Sequence, residues 1–315
     1  MKIKRLQNFR PGFTLIELLV SMAITVVLLG VLVYMTGISM DTYRDSRNEI
    51  RASRQAKEAI ETIAKDLESL VSRRDGNPYE WLYSGVDAKS GILDSTGPSS
   101  KDGQITNRAQ IIFFTGATDR YNGEIGVDGV DKGGDVSAVS YRLAFRDQIG
   151  DTSDERHAVF SLYRHLVNPD ATFGVGGAAG LLAVADLQAA YQTGFASGDL
   201  VATNFLVENV YEFTLTFLVE YTTAGTTPVT KIERVSMMQS GNGGYQEFRL
   251  KGNKIVAEGP KSAEIENGRI VGAEVSITVL TDRGLTLAKK SGISREDLVK
   301  KHSYHYTKAI TTPRP

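Results

Sequence analysis

The stretch that decides the fold is Gly12-Phe13-Thr14-Leu15-Ile16-Glu17-Leu18-Leu19-Val20-Ser21-Met22-Ala23-Ile24-Thr25, continued by a largely apolar run to Met35. From Phe13 to Met35 the only ionisable groups are Glu17 and the phenol of Tyr34. At about 1.5 Å per residue, one helix over these positions spans the hydrocarbon core of a bilayer. Lys2, Lys4, Arg5 and Arg10 precede it with no acid among them. That asymmetry predicts a cytoplasmic N-terminus and a C-terminal portion on the far side of the inner membrane.

Two simpler readings of the segment fit less well. A secretory signal peptide removed whole has a shorter apolar region and an A-x-A-like site after it, and no such site follows here. A plain transmembrane anchor leaves Glu17 without a reason, since a carboxylate inside such a helix costs about 2.5–3.5 kcal/mol on insertion scales. At about 100° per residue, Thr14, Glu17, Ser21 and Thr25 share an arc of about 80°. A narrow polar stripe with small residues, on a helix otherwise built of Leu, Ile, Val and Met, is a surface for packing against another helix.

Gly12-Phe13-Thr14-Leu15-Ile16-Glu17-Leu18-Leu19 closely resembles the N-terminal motif of type IV pilins and type II secretion pseudopilins. The resemblance implies that a prepilin peptidase cuts between Gly12 and Phe13 and methylates the new N-terminus at Phe13. It also implies that Glu17, fifth in the mature chain, pairs with the terminal amine of an adjacent subunit, with Thr14, Ser21 and Thr25 on the same assembly face. A buried carboxylate and a buried ammonium are each costly alone and relieve one another, so the implied pairing is physically consistent.

Beyond Gly37 the chain turns charged but keeps a helical period. Ile50, Ile60, Ile63, Leu67 and Leu70 recur with Arg, Lys, Glu and Asp between them, until Asp75-Gly76-Asn77-Pro78 stops the pattern. The expected element is one helix from Phe13 to about Arg73, with Gly30 and Gly37 as tolerated glycines or points of bending. Alternating runs then predict strands at Gln110–Thr115, Val139–Phe145, Val159–Arg164, Tyr211–Val219 and Val275–Val279. Gly/Ser/Asp-rich loops are expected around 84–103, 116–135 and 239–244. Ser294-x-x-Asp297 is a capping box opening a helix to His302. The expected fold is α+β, a long N-terminal helix packed on an antiparallel sheet. The expected domains are a leader (1–12), a membrane and assembly helix (13–36), an amphipathic continuation (37–75) and an extracytoplasmic β-rich pilin-like domain (76–315).

Val139-Ser140-Tyr141-Arg142-Leu143, Leu162-Tyr163-Arg164 and Leu206-Val207-Glu208-Asn209-Val210 resemble, in a scattered way, the J-type minor pseudopilins of type II secretion. That resemblance implies paired sheets behind the helix and a place near the fibre tip. The layout is similar also to uncharacterised prepilin-like cassette proteins of the Verru_Chthon type. The Gly/Ala-rich insert at 174–199 departs from the J pattern.

Composition narrows the functions. The chain holds 36 basic and 37 acidic residues, and removing the first twelve residues leaves 32 against 37. A weakly acidic chain of this kind lacks the clustered cationic excess that a nucleic-acid surface needs, which argues against a DNA-uptake pilin. Zero cysteines exclude disulfides, thiol nucleophiles and thiolate metal sites.

Three further patterns offer candidate sites. Gly174-Val175-Gly176-Gly177-Ala178-Ala179 fits G-x-G-x-x-A, but a turn, Asn168-Pro169-Asp170, stands where a dinucleotide site needs a strand. A loop before a helix-like Leu181–Tyr191 is favoured. Asp128, Asp131 and Asp135 lie in a glycine-rich loop and are the weak candidates for calcium, although their spacing is not that of an EF-hand. His302 and His305 lack further ligands nearby in sequence.

No catalytic motif and no cofactor motif is present, so a non-enzymatic structural subunit is favoured, with a minor pseudopilin as the finer expectation. The alternative is a membrane-tethered enzyme or binding domain that uses a pilin-type anchor. The expected partners are the prepilin peptidase, other pilin or pseudopilin subunits and the inner membrane, with no nucleic acid.

Overall fold

The computed structural model describes residues 12–72, 76–86, 108–116, 135–146, 159–174, 180–195, 198–223, 228–238, 243–288 and 294–313. Its contacts divide the chain into two units, Met1–Ile50 and Arg51–Pro315. The boundary falls inside a single 54-residue helix, α1 (Leu15–Glu68), which runs unbroken through Gly30 and Gly37. Helix α1 ends five residues before the expected Arg73. The following residues leave it to bridge a strand, Leu70 opposite Thr115, and Gly76 turns with φ 80°.

In the first unit, among the described residues, α1 buries none of its apolar side chains: Leu15, Ile16, Leu18 and Leu19 are all exposed, as is Phe13 just before it. In the second unit the same helix turns amphipathic and buries Ala52, Ala56, Ala59, Ile60, Ile63, Ala64 and Leu67. The change follows the sequence, from continuous apolar residues that suit lipid to an apolar stripe that suits one protein surface.

The second unit is built on two antiparallel sheets. After α1 come β1 (Glu80–Val86), β2 (Ala109–Thr115), β3 (Ser137–Arg146), β4 (Val159–Leu166), the short α2 (Pro169–Phe173), α3 (Leu187–Gly194), β5 (Phe205–Glu208), β6 (Val210–Thr222), β7 (Thr230–Ser236), β8 (Glu247–Lys251) and β9 (Lys254–Glu258). They are followed by α4 (Ser262–Ile265), β10 (Arg269–Leu280), α5 (Asp282–Ala288), α6 (Arg295–His302) and β11 (Ser303–Thr311). Seven strands form one sheet in the order β5-β4-β3-β2-β1-β8-β9, and four form the other in the order β11-β10-β6-β7. The expected α+β architecture is therefore present, with two sheets behind the helix.

Register assigns the faces. Tyr141, Phe145 and Phe160 on β3 and β4, and Phe248 on β8, share one face of the seven-stranded sheet. On that face Phe248 stacks on Phe217 of β6 at 4.5 Å between ring centres, and Phe160 meets Tyr211 of β6 edge-on at 5.1 Å. Tyr141 meets Asp66 of α1. The amphipathic half of α1 and the four-stranded sheet thus share this face. The other face carries Tyr83, Arg142, Tyr163, His165 and Arg249, and the segment 180–199 covers part of it through the buried Leu181, Leu187 and Tyr191.

Several local expectations change. Asn168-Pro169-Asp170 opens α2: the Asn168 carbonyl side chain accepts from the Asp170 N–H, and Pro169 sits in the first turn, where its missing N–H costs nothing. The expected helix at 181–191 lies instead at Leu187–Gly194, because Asp186 is its cap and accepts from the Ala189 N–H at 2.9 Å. Residues 84–86, expected in a loop, complete β1. The capping box at Ser294 forms as the spacing requires, with the Asp297 N–H donating to Ser294 Oγ at 3.1 Å.

Candidate processing and assembly site

Residues Gly12, Phe13 and Thr14 precede the first helical turn in non-helical backbone. Phe13 is 90% exposed, and among the described residues no atom beyond Gly12 and its chain neighbours lies within 4 Å of where a Gly12 Cβ would stand.

Thr14 caps the helix, and Glu17 answers it. The Thr14 N–H and the Thr14 hydroxyl each donate to Glu17 Oε2 at 2.9 Å, while the Glu17 N–H approaches Thr14 Oγ1 at 3.3 Å. This is a reciprocal capping box at the first turn of a membrane-length helix. The sequence reading treated Thr14 and Glu17 as members of one stripe and missed that they form a box. The signal was present, since T-x-x-E before an apolar run is its signature. The Oε1 atom of Glu17 accepts no hydrogen bond from any described residue, so the carboxylate keeps acceptor capacity for a donor outside the chain.

Ser21 and Thr25 lie one and two turns further on and satisfy themselves. Ser21 Oγ donates to the Leu18 carbonyl at 2.9 Å, and Thr25 Oγ1 donates to the Ser21 carbonyl at 2.7 Å. These back-bonds let hydroxyls sit in a lipid-facing helix without a partner, so among the stripe residues only Glu17 retains an unmet polar demand. By length and composition α1 is able to cross a membrane, and its apolar window is entirely unburied within the chain.

Residues 8–33 match the family model described as the prokaryotic N-terminal methylation motif. The chain therefore carries a prepilin-type N-terminus. No curated protein and no solved structure matches it. The prepilin-like reading thus stands on 26 residues that hold the capping box, the stripe and the apolar helix together, and the type of pilin or pseudopilin is left to the rest of the chain.

The other sequence candidates do not gather into a site. Gly174 closes α2 in a left-handed conformation, φ 77°, with its N–H turned to the carbonyls of Ala171 and Asp170. A dinucleotide fingerprint needs its first glycine at a strand-to-helix turn, which this is not. Asp128 and Asp131 lie outside the described residues, Asp135 sits at the entry to β3, and no cluster of metal-ligating residues occurs among the described residues. His302 ends α6, whereas His305 lies on the outer face of β11 beside Ser276, Thr278 and Thr307.

Three buried polar clusters escaped the sequence reading because their members are far apart in the chain. Asp66 of α1, fully buried, accepts from Arg164 Nε at 2.8 Å, from the terminal guanidinium nitrogen at 2.9 Å and from the Tyr141 hydroxyl at 2.5 Å. Burial, and then the Asp66 charge, raise the Tyr141 phenol well above its ordinary range. His165 Nδ1 lies 2.7 Å from the Tyr191 hydroxyl and 3.2 Å from Asp199 Oδ1, and Tyr191 donates to Asp199 at 2.5 Å, so the 180–199 segment is pinned to β4. Arg249 bonds both oxygens of the buried Glu80 at 3.0 Å, reaches Asp186 at 3.2 Å and lies over the Tyr83 ring. Each cluster joins a helix or the stretch around Tyr191 and Asp199 to the seven-stranded sheet. A groove of about 710 Å³ between the end of β6 and α4 is lined by Tyr221, Glu264 and Arg269. Their polar ends are already engaged, Arg269 with Glu220 and Tyr221 with Glu264.

Proposed function

We propose that this chain is a prepilin-like structural subunit. In this reading it is cut between Gly12 and Phe13, methylated at Phe13 and assembled through α1 into a type II secretion or type IV pilus-like fibre. The carrying observation is the first turn of α1. A carboxylate half-satisfied by its own cap, at the head of a helix whose apolar side chains from Leu15 to Ile50 are all exposed, suits a helix that finishes its packing in an assembly. Prepilin-like proteins are in general structural and not catalytic, which supports a non-enzymatic role.

The reading carries with it a leader at 1–12, a membrane and assembly helix at 13–36, its amphipathic continuation at 37–75, and an extracytoplasmic domain from 76 onward. The prepilin peptidase and neighbouring pilin-type subunits are the partners. The finer expectation, a minor tip-proximal subunit of J type, draws support from the size of the head behind the helix and from the additional 180–199 segment pinned across the sheet. A fibre of stacked helices leaves limited room for each head.

Mass spectrometry of the membrane-inserted and assembled forms tests the reading. A chain beginning at N-methylated Phe13 and recovered in sheared assemblies is expected. A chain that retains Met1 and never leaves the membrane fraction overturns it.

A further inference from the structure

The two sheets end in four edge strands, β5 and β9 in one and β7 and β11 in the other. An edge strand offers unpaired N–H and C=O groups to any extended chain, and proteins shorten, charge or cover their edges for that reason. Three of these four are managed in that way. β5 is four residues long, and its Glu208 is held by Arg51 and Gln55 of α1. β9 is covered from the side, where the Ile255 N–H donates to the Glu266 carbonyl at 2.7 Å. β7 carries the charges of Lys231, Glu233 and Arg234, and its far end is closed by the Tyr245 N–H on the Ser236 carbonyl at 2.8 Å.

β11 is neither short nor covered. It runs nine residues, Ser303–Thr311, with no proline and no register shift against β10. The Thr281 N–H donates to the His302 carbonyl, and this bond sets the phase of the ladder. Tyr304, Tyr306, Lys308 and Ile310 turn their N–H and C=O groups toward β10, whereas His305, Thr307 and Ala309 turn theirs away. Among the described residues these outward groups have no hydrogen-bond partner.

The side chains beside the open edge define what fits there. On the solvent face stand His305, Thr307 and Ala309, all exposed. On the other face the Tyr304 and Tyr306 rings are half-buried against the core, and Ile310 is buried. Lys308, between them, forms no ion pair with any described residue. A cation on an edge strand discourages indiscriminate pairing, so an occupant has to answer it with a carboxylate.

We propose that β11 is a docking edge for an extended segment of a different protein, which adds to the four-stranded sheet as a fifth strand. Its main chain meets the open groups of His305, Thr307 and Ala309. Its side chains alternate, polar on the solvent face and apolar against Tyr304 and Tyr306, with an acidic residue beside Lys308. A second copy of β11 answers the edge poorly, because Ser303–Thr311 contains a further Lys308 and no carboxylate. The inference goes beyond the subunit reading and does not depend on it, since it needs only the folded second unit.

The test uses the full chain in its own cells, with a photo-reactive phenylalanine analogue at Thr311 and the cross-linked peptides mapped by mass spectrometry. The expected product joins position 311 to an alternating, acid-bearing segment of another protein. Ala309→Pro removes an outward N–H and leaves the β10 ladder whole, because that N–H takes no part in it. It is expected to lower the yield about tenfold, as for one main-chain hydrogen bond lost with its partner left unmet. Ile232→Pro, at an outward position of β7, is expected to leave the yield unchanged. Lys308→Glu keeps every main-chain group and is expected to lower the yield as far as the proline does, by setting like charges together. The absence of a product, or a product joined only to another copy of this chain, overturns the proposal. So does a yield indifferent to Lys308→Glu, or to Ala309→Pro in a chain whose thermal unfolding is unaltered.

Discussion

Asp66 and Arg164, 98 residues apart, form a two-point ion pair that fixes the amphipathic half of α1 to β4, with the Tyr141 hydroxyl on the same carboxylate. Both Arg164 nitrogens point at the two Asp66 oxygens, a geometry that specifies orientation as well as contact. Asp66→Ala takes the two-point carboxylate away from a largely buried guanidinium. A loss of about 3–5 kcal/mol is expected, read as a drop in the denaturant midpoint of the detergent-solubilised chain. Tyr141→Phe removes the hydroxyl's bond to Asp66 and the weaker one it accepts from Arg164 Nε at 3.2 Å, and is expected to cost about 1–2 kcal/mol. Equal effects from the two substitutions would show that the ion pair adds nothing beyond packing.

Replacing Gly12 with a bulky residue is expected to leave the leader attached, because the open Gly12–Phe13 backbone would then present a side chain where none now stands. Intact mass of the membrane-bound chain reads the outcome. A normally trimmed Gly12→Leu chain would move the processing site elsewhere.

Glu17 has two separable jobs in this reading. Thr14→Ala removes the capping hydroxyl and is expected to destabilise the first turn of α1 by about 1 kcal/mol while leaving the carboxylate in place. Glu17→Ala removes the charge as well. Both variants are expected to be processed and inserted, but Glu17→Ala alone is expected to lose most of its recovery in assemblies. Matching losses in the two variants would assign the whole role of Glu17 to capping.

Gly252 begins the two-residue turn between β8 and β9 with φ 55°, and a Cβ there would stand 2.4 Å from the Asn77 carbonyl oxygen. Gly252→Ala therefore combines a left-handed backbone with a clash against main chain. It is expected to cost more than about 1 kcal/mol, whereas Asn253→Ala in the same turn is expected to be nearly silent. Thermal unfolding of the two variants side by side checks the difference.

The membrane part of the chain was legible because lipid imposes strict rules: about twenty apolar positions, one charge that needs a reason, and cations on one side. The sheets were legible where one face is core and the other is not, as along β6, whose residues beyond Phe213 alternate between buried and half-buried. Strand β1 was missed for the opposite reason. All seven of its residues are buried, so Glu80, Ser84 and Gly85 interrupt an apolar pattern without marking a solvent face. Strand β11 is absent from the expected strands because its outer positions, His305, Thr307 and Ala309, read as solvated chain until β10 is beside them. The cluster of His165, Tyr191 and Asp199 joins β4 to a stretch more than twenty residues further on, and no local pattern announces it.

The way α1 leaves the helix at Leu70 also decides how the domain takes mechanical load. The Val71 N–H bonds the Phe114 carbonyl and the Gly116 N–H bonds the Ser69 carbonyl, each at 2.8 Å, while Thr115 Oγ1 holds the Asp66 carbonyl at 3.0 Å. All three join the end of the helix to β2, the middle strand of the seven-stranded sheet. Tension drawn along the last turns of α1 therefore enters the sheet at its centre, with three strands on either side to share it. A pull at an edge would peel strands away one ladder at a time, whereas a pull at the middle must shear two ladders together.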